Sequence, residues 1–388
     1  MGVDAQKKQV KEIFGKIVDN DFPGAFCNIL RDKKNPGMVK TKHADGSGSK
    51  SVQRYLHYLE TGDASILRGD PYDAISMNTG DIAACGFLSI DNPYELTDHL
   101  AINSGNVEKY LLISEIAKGI REVLELYKNY GFDIEFTGGE TADLPDQTNS
   151  YTMDFDVRSK TSEKMAIFGN IQEGDKIFGF SSGGRAVWEK EENSGIMSNG
   201  LTMGRKVLMH KKYSKVYPFL CSPDKPYQGK YFVNSYPDEL QGMSVSGALL
   251  SPTRQWAILI KEIILGLQKK NALHLLHGIS MNTGGGVTKI TNLGKGIMYN
   301  KCSMPATLPI FKLIQKESGE SWENMYESFN MGIGLDVVGS KEENILECVL
   351  QDVSAKTKVP VYETGNCSKI GTNSNELKVS TPYGSWNA

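Results

Sequence analysis

Several classes of protein are excluded by what this 388-residue sequence lacks. Lys and Arg number 43 against 46 Asp and Glu, a formal charge of −3, so the sequence has neither the basic surface of a nucleic-acid binder nor an acidic tail. The most apolar stretch, 256–267, is interrupted by Lys261 and Glu262 and is too short to span a membrane. The first ten residues, MGVDAQKKQV, lack the apolar region of a signal peptide. We therefore expect a cytoplasmic protein without nucleic-acid or membrane partners.

Cysteine and histidine are also scarce, with six residues of each. No two cysteines form a CxxC pair, which favours reduced thiols in an intracellular protein. His274 and His277 lie three residues apart, but zinc normally needs three or four protein ligands. No Cys or further His is nearby in sequence, so we predict no zinc site at this pair.

Glycine, in contrast, is abundant, at 40 of 388 residues, against a usual share of about 7%. The glycines are clustered, which indicates glycine loops rather than a flexible linker. The length suggests two or three domains. A polar stretch at 160–175 predicts a boundary, with an N-terminal domain over 1–165 and a C-terminal domain over 166–388. The aromatic and proline-rich segment 209–245 is interpreted as an insertion in the second domain.

Local patterns predict the elements that carry the polar motifs. Segment 37–59 is expected to be a strand, a glycine loop and the start of a helix, and 71–90 a buried helix. Ser104 is the predicted N-cap of a helix that ends near Tyr130. A strand is expected to lead into a loop at 138–146. Another helix is expected to begin at Ser251, with Pro252 in its first turn.

The first motif that could carry chemistry is HADGSGSKS, residues 43–51. It is similar to a phosphate-binding loop, although the Walker spacing is not met. Its small residues allow an anion to approach the backbone, with Asp45 available to a metal and Lys50 to a phosphate. The alternative is an ordinary surface turn with solvated charges.

Two further acids occur beside small residues in the first half. Asp81 lies in MNTGDIAACG, where a buried carboxylate would need a partner or a cation, unless it caps a helix. Glu140 lies in GGETAD, which is either a cation site or a plain glycine-rich turn. Magnesium is commonly held by a few carboxylates together with nucleotide phosphates. Asp45, Asp81 and Glu140 together therefore favour a Mg–ATP site.

The second half contains candidate anion sites. Helices are predicted to begin after Ser198-Asn199-Gly200 and after Ser251-Pro252-Thr253, and helix N-termini attract anions. Arg254 would lie in the first turn of the second helix, where the helix dipole disfavours a cation unless an anion is bound. A solvated arginine at an ordinary helix start is the alternative. His277 precedes a second glycine loop and is a candidate proton carrier.

Taken in order, these motifs resemble one family. The series HADGSGSK, MNTGD, GGETAD, SSGG, SNGLTMGRKVL, LLSPTR, HGIS with TGGG, and FNMGIG is similar to aminoimidazole ribonucleotide synthetase, also called phosphoribosylformylglycinamidine cyclo-ligase. The resemblance extends from Gly2 to Gly365. It implies a two-domain α+β fold, with an N-terminal sheet that pairs across a homodimer and a C-terminal sheet covered by helices.

The resemblance also implies a function. It is the ATP- and Mg²⁺-dependent closure of formylglycinamidine ribonucleotide into aminoimidazole ribonucleotide, a step of purine biosynthesis. Lys50, Asp81 and His277 are the implied catalytic residues, and Asp45, Asp81 and Glu140 the implied metal ligands. The positions matched to nucleotide binding are Asp45, Gly46, Gly48, Lys50, Asn78, Gly138, Gly139, Glu140 and Thr141. Those matched to the substrate side are Ser182, Ser198, Asn199, Arg254 and Thr283.

The sequence departs from the family pattern on the substrate side. About fourteen residues, 184–197, separate SSG from SNG, where the typical enzyme has almost none. HGISMNTGGG is also longer than the usual H-x-TGGG, so His277 could be displaced. The alternative is a superfamily paralogue, either a thiamine-monophosphate-kinase-like phosphotransferase or a non-catalytic nucleotide-binding protein. DIAACG is similar to the kinase motif, whereas GGETA favours the synthetase.

Overall fold

Two β-sheets, one from each half of the chain, organise the molecule. The computed structural model describes residues 13–15 and 17–387, and the first twelve residues, which the family resemblance includes, lie outside it. The first sheet contains β1 (Ile29–Arg31), β2 (Met38–Gly46), β3 (Tyr94–Ile102), β4 (Ile134–Asp143) and β5 (Tyr151–Ser162). They are paired in the order β1-β2-β5-β3-β4.

The second sheet has seven strands in the order β12-β11-β8-β10-β6-β9-β7. They are β6 (Lys176–Ser181), β7 (Leu276–Met281), β8 (Ile297–Lys301), β9 (Ile333–Gly339), β10 (Val361–Lys369), β11 (Glu376–Thr381) and β12 (Gly384–Asn387). Every residue of β9 is buried, which is typical of a strand covered on both faces. The expected α+β class is confirmed. Pairing of the first sheet with a second copy stays a prediction, as do the domain bounds 1–165 and 166–388.

Helices pack around both sheets. They are α1 (Lys50–Thr61), α2 (Gly69–Ala83), α3 (Lys109–Asn129), α4 (Leu201–Leu208), α5 (Tyr213–Val216), α6 (Val245–Leu250), α7 (Trp256–Lys269), α8 (Pro309–Ser318), α9 (Trp322–Ser328) and α10 (Ile345–Thr357). None of these described helices is long and apolar enough to cross a membrane.

Helix α2 is the central element of the N-terminal half. Nearly all of its side chains are buried, as predicted for segment 71–90, and it packs against β2, α3 and α7. Small residues permit this close approach. A methyl group on Gly80 would lie 2.2 Å from the Met281 sulfur at the end of β7. The polar side chains that α2 carries are therefore held between the two halves of the molecule.

Two predicted helix starts are wrong for local reasons. The helix predicted from Ser104 begins at Lys109. A turn precedes it, in which the backbone oxygen of Asn103 accepts hydrogen bonds from the backbone N–H groups of Asn106 and Val107. The helix predicted from Ser251 begins at Trp256, five residues later. The Ser251 hydroxyl donates to Gly247 in the last turn of α6 and does not cap α7.

The motif GGETAD is strand rather than loop, contrary to the prediction. Strand β4 runs through it to Asp143 and pairs in parallel with β3. A register shift places Phe136 opposite Leu96 and Gly139 opposite Asp98, so β4 contains one extra residue at this point. Gly138 has a φ of +80° at the bulge, a backbone conformation that favours glycine. The two glycines thus permit a bulge within a continuing strand.

Segment 209–245 consists of short helical turns joined by irregular chain, and its aromatic side chains pack against one another. Tyr213 packs against Tyr217, Tyr227 and Phe232. The hydroxyls of Tyr213 and Tyr217 donate to Glu60 of α1, at 3.0 and 2.8 Å. The segment therefore packs on the first helix of the N-terminal half.

Candidate active site

The loop between β2 and α1, residues 47–49, lies where the two halves of the chain meet. Its strand–loop–helix setting is as predicted. Gly48 is exposed with φ of +59°, and no atom lies within 4 Å of the position of an added Cβ. The Ser49 hydroxyl accepts a hydrogen bond from Thr202 in α4, at 3.0 Å. The loop thus has free space beside the backbone of Gly48, and through Ser49 it contacts α4, which follows the predicted substrate-side residues Ser198 and Asn199.

Asp45, Asn78 and Asp81 are brought together beside this loop. Asn78 of α2 donates from its side-chain amide to the Asp45 backbone oxygen at 2.8 Å. Burial raises the pKa of the Asp45 carboxyl, and the negative charge of Asp81 raises it further. A cation beside these two groups would stabilise the charged form of Asp45, which burial and the charge of Asp81 disfavour.

The donor set around Asp81 fits magnesium. Asp81 is 3% exposed, and its Oδ1 atom has no hydrogen-bond partner among the described residues. A buried carboxylate oxygen without a partner is costly unless a cation is present. Mg²⁺ binds carboxylate oxygens and usually retains waters and substrate phosphates as its other ligands. Asp45 and Asp81 can therefore contribute to such a site.

Glu140 does not join these acids within one chain. Strand pairing aligns Asp45 with Phe155, then Asp98, then Gly139, so Asp45 shares the helix-covered face of the sheet with the buried Phe155 ring. Glu140 is exposed and follows Gly139, so it points to the opposite face. Three strand spacings, about 14 Å, also separate it from Asp45 along the sheet. One chain alone therefore does not bring Glu140 to the two aspartates, and a metal ion shared by all three acids across a subunit boundary stays a prediction.

Lys50 is fully buried in a charged cluster rather than open to the loop. Its ammonium donates to Asp73 Oδ1 at 2.9 Å and to the Ser251 backbone oxygen at 2.5 Å. Burial lowers the pKa of Lys50 to about 8, although the charge of Asp73 opposes this. Arg54 pairs with both Asp70 and Asp73. Lys50 therefore already has an anionic partner, which the sequence did not indicate.

Asp73 is the centre of that cluster. Burial opposes its ionisation, but the charges of Lys50 and Arg54 outweigh burial and lower the pKa of Asp73 to about 2. It also accepts from the backbone N–H and the hydroxyl of Thr253, each at 2.6 Å. Thr253 in turn contacts the hydroxyl of Ser198 at 3.0 Å. A continuous polar path therefore runs from α1 and α2 to the start of α4.

Of the predicted substrate-side residues, Ser198 and Asn199 precede α4, which begins after Gly200 as expected. Ser182 is buried and contacts Asn330 at 2.9 Å. Thr283 is buried in the loop after β7, where its backbone oxygen accepts from Gly286. Ser198 is thus linked to the path just described, whereas Ser182 is linked to the loop before β9.

Arg254 lies two residues before α7 rather than in its first turn, and it is not solvated, so the predicted helix position and the solvated alternative are both wrong, whereas its substrate-side role stays a prediction. It is 1% exposed, and its guanidinium pairs with Glu189 through two bonds of 2.9 Å. It also donates to the backbone oxygens of Ser181, Gly183 and Gly184. Glu189 belongs to the extra segment 184–197, so this segment supplies the anion that Arg254 needs.

His277 lies at the beginning of β7, away from the loops it was expected to serve. Its Nδ1 atom is 2.7 Å from Asp175, which precedes β6. Thr283 follows the far end of β7, up to about 20 Å away at 3.3 Å per residue. The structure therefore separates His277 from the other substrate-side residues, as the lengthened motif suggested.

Sequence reasoning missed four residues that the structure places in or beside the site: Cys27, His43, Asp73 and Glu189. His43 could have been found, because it lies two residues before Asp45 on a strand and so shares its face. Burial disfavours the charged form of His43, but its contact with Asp81, 3.2 Å away, raises its pKa to about 9. The other three are distant in sequence from the residues they contact.

Comparisons with known proteins give relatives over most of the chain. The phosphoribosylformylglycinamidine cyclo-ligase of Pyrococcus horikoshii is 31% identical over 380 residues, which cover 97% of this chain and 92% of that protein. The one from Methanococcus vannielii is 30% identical over 324 residues, covering 83% of this chain and 75% of that protein. No family model matches the sequence.

A solved structure shares the fold. AaThiL complexed with AMPPCP and TMP superposes with a TM-score of 0.55 at 15% identity, covering 100% of this chain and 98% of that chain. At this identity the likeness concerns the fold alone.

Proposed function

The chain belongs to the phosphoribosylformylglycinamidine cyclo-ligase family, and we propose that it uses ATP to close formylglycinamidine ribonucleotide into aminoimidazole ribonucleotide, with release of ADP and phosphate. The observation that carries this proposal is the 31% identity to a cyclo-ligase over 97% of the chain. The proposal is supported by the position of Asp45 and Asp81 beside the glycine loop 47–49, where the two halves of the chain meet.

In the proposed reaction the formyl oxygen attacks the γ-phosphate of ATP and ADP leaves, so that the oxygen on the formyl carbon becomes part of a good leaving group. A neighbouring nitrogen then attacks the formyl carbon, its bond to the phosphorylated oxygen breaks, and phosphate and a proton depart. Such a transfer depends mainly on positioning and on neutralising charge. Asp45 and Asp81 would hold a magnesium ion, which when bound withdraws charge from the phosphates.

The chain's own residues orient the reactants. The backbone of loop 47–49 would approach the ATP phosphates, with Gly48 leaving the space for them. The buried pair of Lys50 and Asp73 fixes the start of α1, and the link from Asp73 through Thr253 to Ser198 holds α4 against that loop. We therefore assign Lys50 to positioning the loop and Ser198 and Asn199 to the substrate side.

Arg254 has a different role in this proposal from the one the motif implied. Its guanidinium is occupied by Glu189 and by three backbone oxygens. It would hold the loop after β6 in place rather than bind the substrate directly. Ser182 would act at the same loop through Asn330.

We further propose a cytoplasmic homodimer. The open face of the first sheet carries alternating polar side chains on β5, among them Asp154, Asp156, Arg158 and Lys160. A second copy covering this face would bring the exposed Glu140 and the open Gly138 into an interface. Glu140 would then reach nucleotide from the partner's side, and Gly139 and Thr141 beside it stay predicted nucleotide-binding positions.

The proposed activity is tested by incubating the protein with ATP, Mg²⁺ and formylglycinamidine ribonucleotide. We expect aminoimidazole ribonucleotide and ADP in equal amounts. A parallel assay contains thiamine monophosphate in place of formylglycinamidine ribonucleotide. Phosphorylation of that compound without ring formation would favour a kinase, and ATP binding without any product would favour a non-catalytic paralogue.

A further inference from the structure

A thiol, an imidazole and a carboxylate from three separate segments meet beneath α2. They belong to Cys27, which precedes β1, His43 on β2 and Asp81 on α2. One ligand atom from each lies within 4.8 Å of the other two. Cys27 and Asp81 are 8% and 3% exposed, whereas the His43 side chain is 21% exposed. The cluster is thus enclosed on the protein side and reachable past the imidazole.

The hydrogen bonds around His43 direct one ring nitrogen into the cluster. Asn78 donates from its amide nitrogen to the backbone oxygens of Asp45 and Ala74. Its amide oxygen therefore faces His43 Nδ1, 3.2 Å away, which must carry the hydrogen. In the neutral ring, Nε2 then presents a lone pair to Asp81 Oδ2, also 3.2 Å away. Two electron-rich atoms at this distance need a cation between them, which is a shared proton in the metal-free chain and would be the metal ion in the loaded chain.

The sulfur is held at the same place. Cys27 Sγ lies 3.3 Å from the Asp81 backbone oxygen, and the Cys27 N–H donates to the sulfur of Cys85 at 3.2 Å. The Asp81 Oδ1 atom has no hydrogen-bond partner among the described residues. A buried oxygen without a partner is stabilised by a cation, and the thiol and imidazole beside this one offer such an ion two further ligands.

We propose that Cys27, His43 and Asp81 form a binding site for a borderline transition-metal ion of the Zn²⁺ class, with a fourth position open to water. Bonds of 2.0–2.2 Å to nitrogen and oxygen in tetrahedral geometry put those two ligand atoms about 3.3–3.6 Å apart, slightly more than the 3.2 Å between His43 Nε2 and Asp81 Oδ2. Thiolate and imidazole select such ions over Mg²⁺. Binding requires Cys27 to release its thiol proton and His43 to release the proton that it shares with Asp81, both to solvent.

This site goes beyond the proposed activity, although it shares Asp81 with the proposed magnesium site. The two are distinguished by Cys27 and His43, which are not ligands that Mg²⁺ prefers. The test therefore contains no nucleotide and changes only those two residues. Its outcome is separate from whether the protein makes aminoimidazole ribonucleotide.

The test titrates the metal-free full chain with Co²⁺, a spectroscopic substitute for Zn²⁺, in millimolar Mg²⁺. We expect one Co²⁺ per chain with a near-ultraviolet thiolate-to-metal absorption, which one equivalent of Zn²⁺ removes. Cys27→Ser should abolish that absorption. His43→Gln should weaken binding by about 100-fold or more, beyond the 10- to 100-fold typical of losing an outer-shell partner.

Matched controls are Cys367→Ser, which removes another buried thiol, and His57→Gln, which removes another half-buried imidazole. Both should bind Co²⁺ as the unaltered chain does. Should Cys27→Ser fail to fold, Zn²⁺ must still slow alkylation of one thiol in the unaltered protein, identified as Cys27 by peptide mapping. A folded chain without the thiolate absorption, or an unchanged Cys27→Ser titration, would overturn the proposal.

Discussion

Asp73 of α2 accepts two hydrogen bonds of 2.6 Å from Thr253, one from its backbone nitrogen and one from its hydroxyl. The two residues are 180 positions apart in the sequence. The same carboxylate pairs with Lys50 and Arg54, and all these side chains are fully or almost fully buried. One buried anion therefore joins the two halves of the chain beside the candidate active site.

Replacing Asp73 should be strongly destabilising. Asp73→Asn leaves two buried cations without their full partner, and breaking a buried pair in this way typically costs about 3–5 kcal/mol. Urea unfolding measures the loss. The control is Asp156→Asn, whose partner Lys42 is largely exposed, and which should cost less than about 1 kcal/mol. Equal losses in the two variants would contradict a joining role for Asp73.

The effect of Asp73→Asn should also depend on pH. The pKa of Asp73 is about 2 in the folded chain, below its ordinary value of 3.8. A lowered pKa stabilises the folded state above the ordinary value, and this contribution disappears as the pH falls through the folded value. The difference in unfolding free energy between the two proteins should therefore shrink by roughly 2 kcal/mol between pH 5 and pH 2. A constant difference would show that Asp73 is not held as an anion.

Local patterns predicted those parts of the fold that depend on neighbouring residues. The strand, loop and helix around Gly48 were found because alternation, glycines and helical spacing follow each other within about twenty positions. The start of α7 was missed because Ser251 and Pro252 form a good N-terminal pattern, yet the Ser251 hydroxyl bonds to α6. A hydrogen bond to Gly247, four residues back in the preceding helix, thus outweighed the N-cap pattern.

The candidate site was predictable in part for the same reason. Asp45 and Asp81 were recognised as acids among small residues, and the structure brings them together. Glu140 was expected to join them because GGETAD was interpreted as a turn, whereas a bulge at Gly138 keeps it in a strand. No pattern near Arg254 could reveal Glu189, since that contact spans 65 positions.

The ion pair of Arg254 and Glu189 should hold the extra segment 184–197 in place. Arg254→Ala leaves Glu189 as an uncompensated, nearly buried charge, so we expect a loss of about 3–5 kcal/mol in unfolding free energy. A double-mutant cycle with Glu189→Ala should give a coupling energy of about 1–3 kcal/mol. The exposed pair Lys356 and Glu262 is the control and should couple by less than about 1 kcal/mol. A raised substrate KM with unchanged stability would instead make Arg254 a substrate ligand.

Gly48 tests whether phosphates approach the loop. Gly48→Ala should cost about 1 kcal/mol of stability because of the positive φ, without a steric clash. If ATP phosphates contact this backbone, the methyl group should raise the KM for ATP by about tenfold or more, equivalent to about 1.4 kcal/mol. Gly62→Ala is a matched control, since Gly62 has φ of +76°, equally open space and a position at the far end of α1. Identical KM values for ATP in both variants would show that the ATP phosphates do not contact this loop.

Asp81→Asn tests the carboxylate on which the proposed chemistry depends. The substitution preserves shape and a hydrogen bond to His43 but removes the negative charge beside the partly buried Asp45. We expect turnover in the cyclisation assay to fall by about 100-fold or more, as losing one key electrostatic group typically causes. Asp98→Asn is the control, because Asp98 is a half-buried carboxyl on the same face of the sheet, and it should retain nearly full turnover. The substitution alters only the carboxylate that would hold Mg²⁺. Near-normal turnover of Asp81→Asn with an unchanged Mg²⁺ requirement would therefore show that the negative charge of Asp81 is not needed to hold the ion.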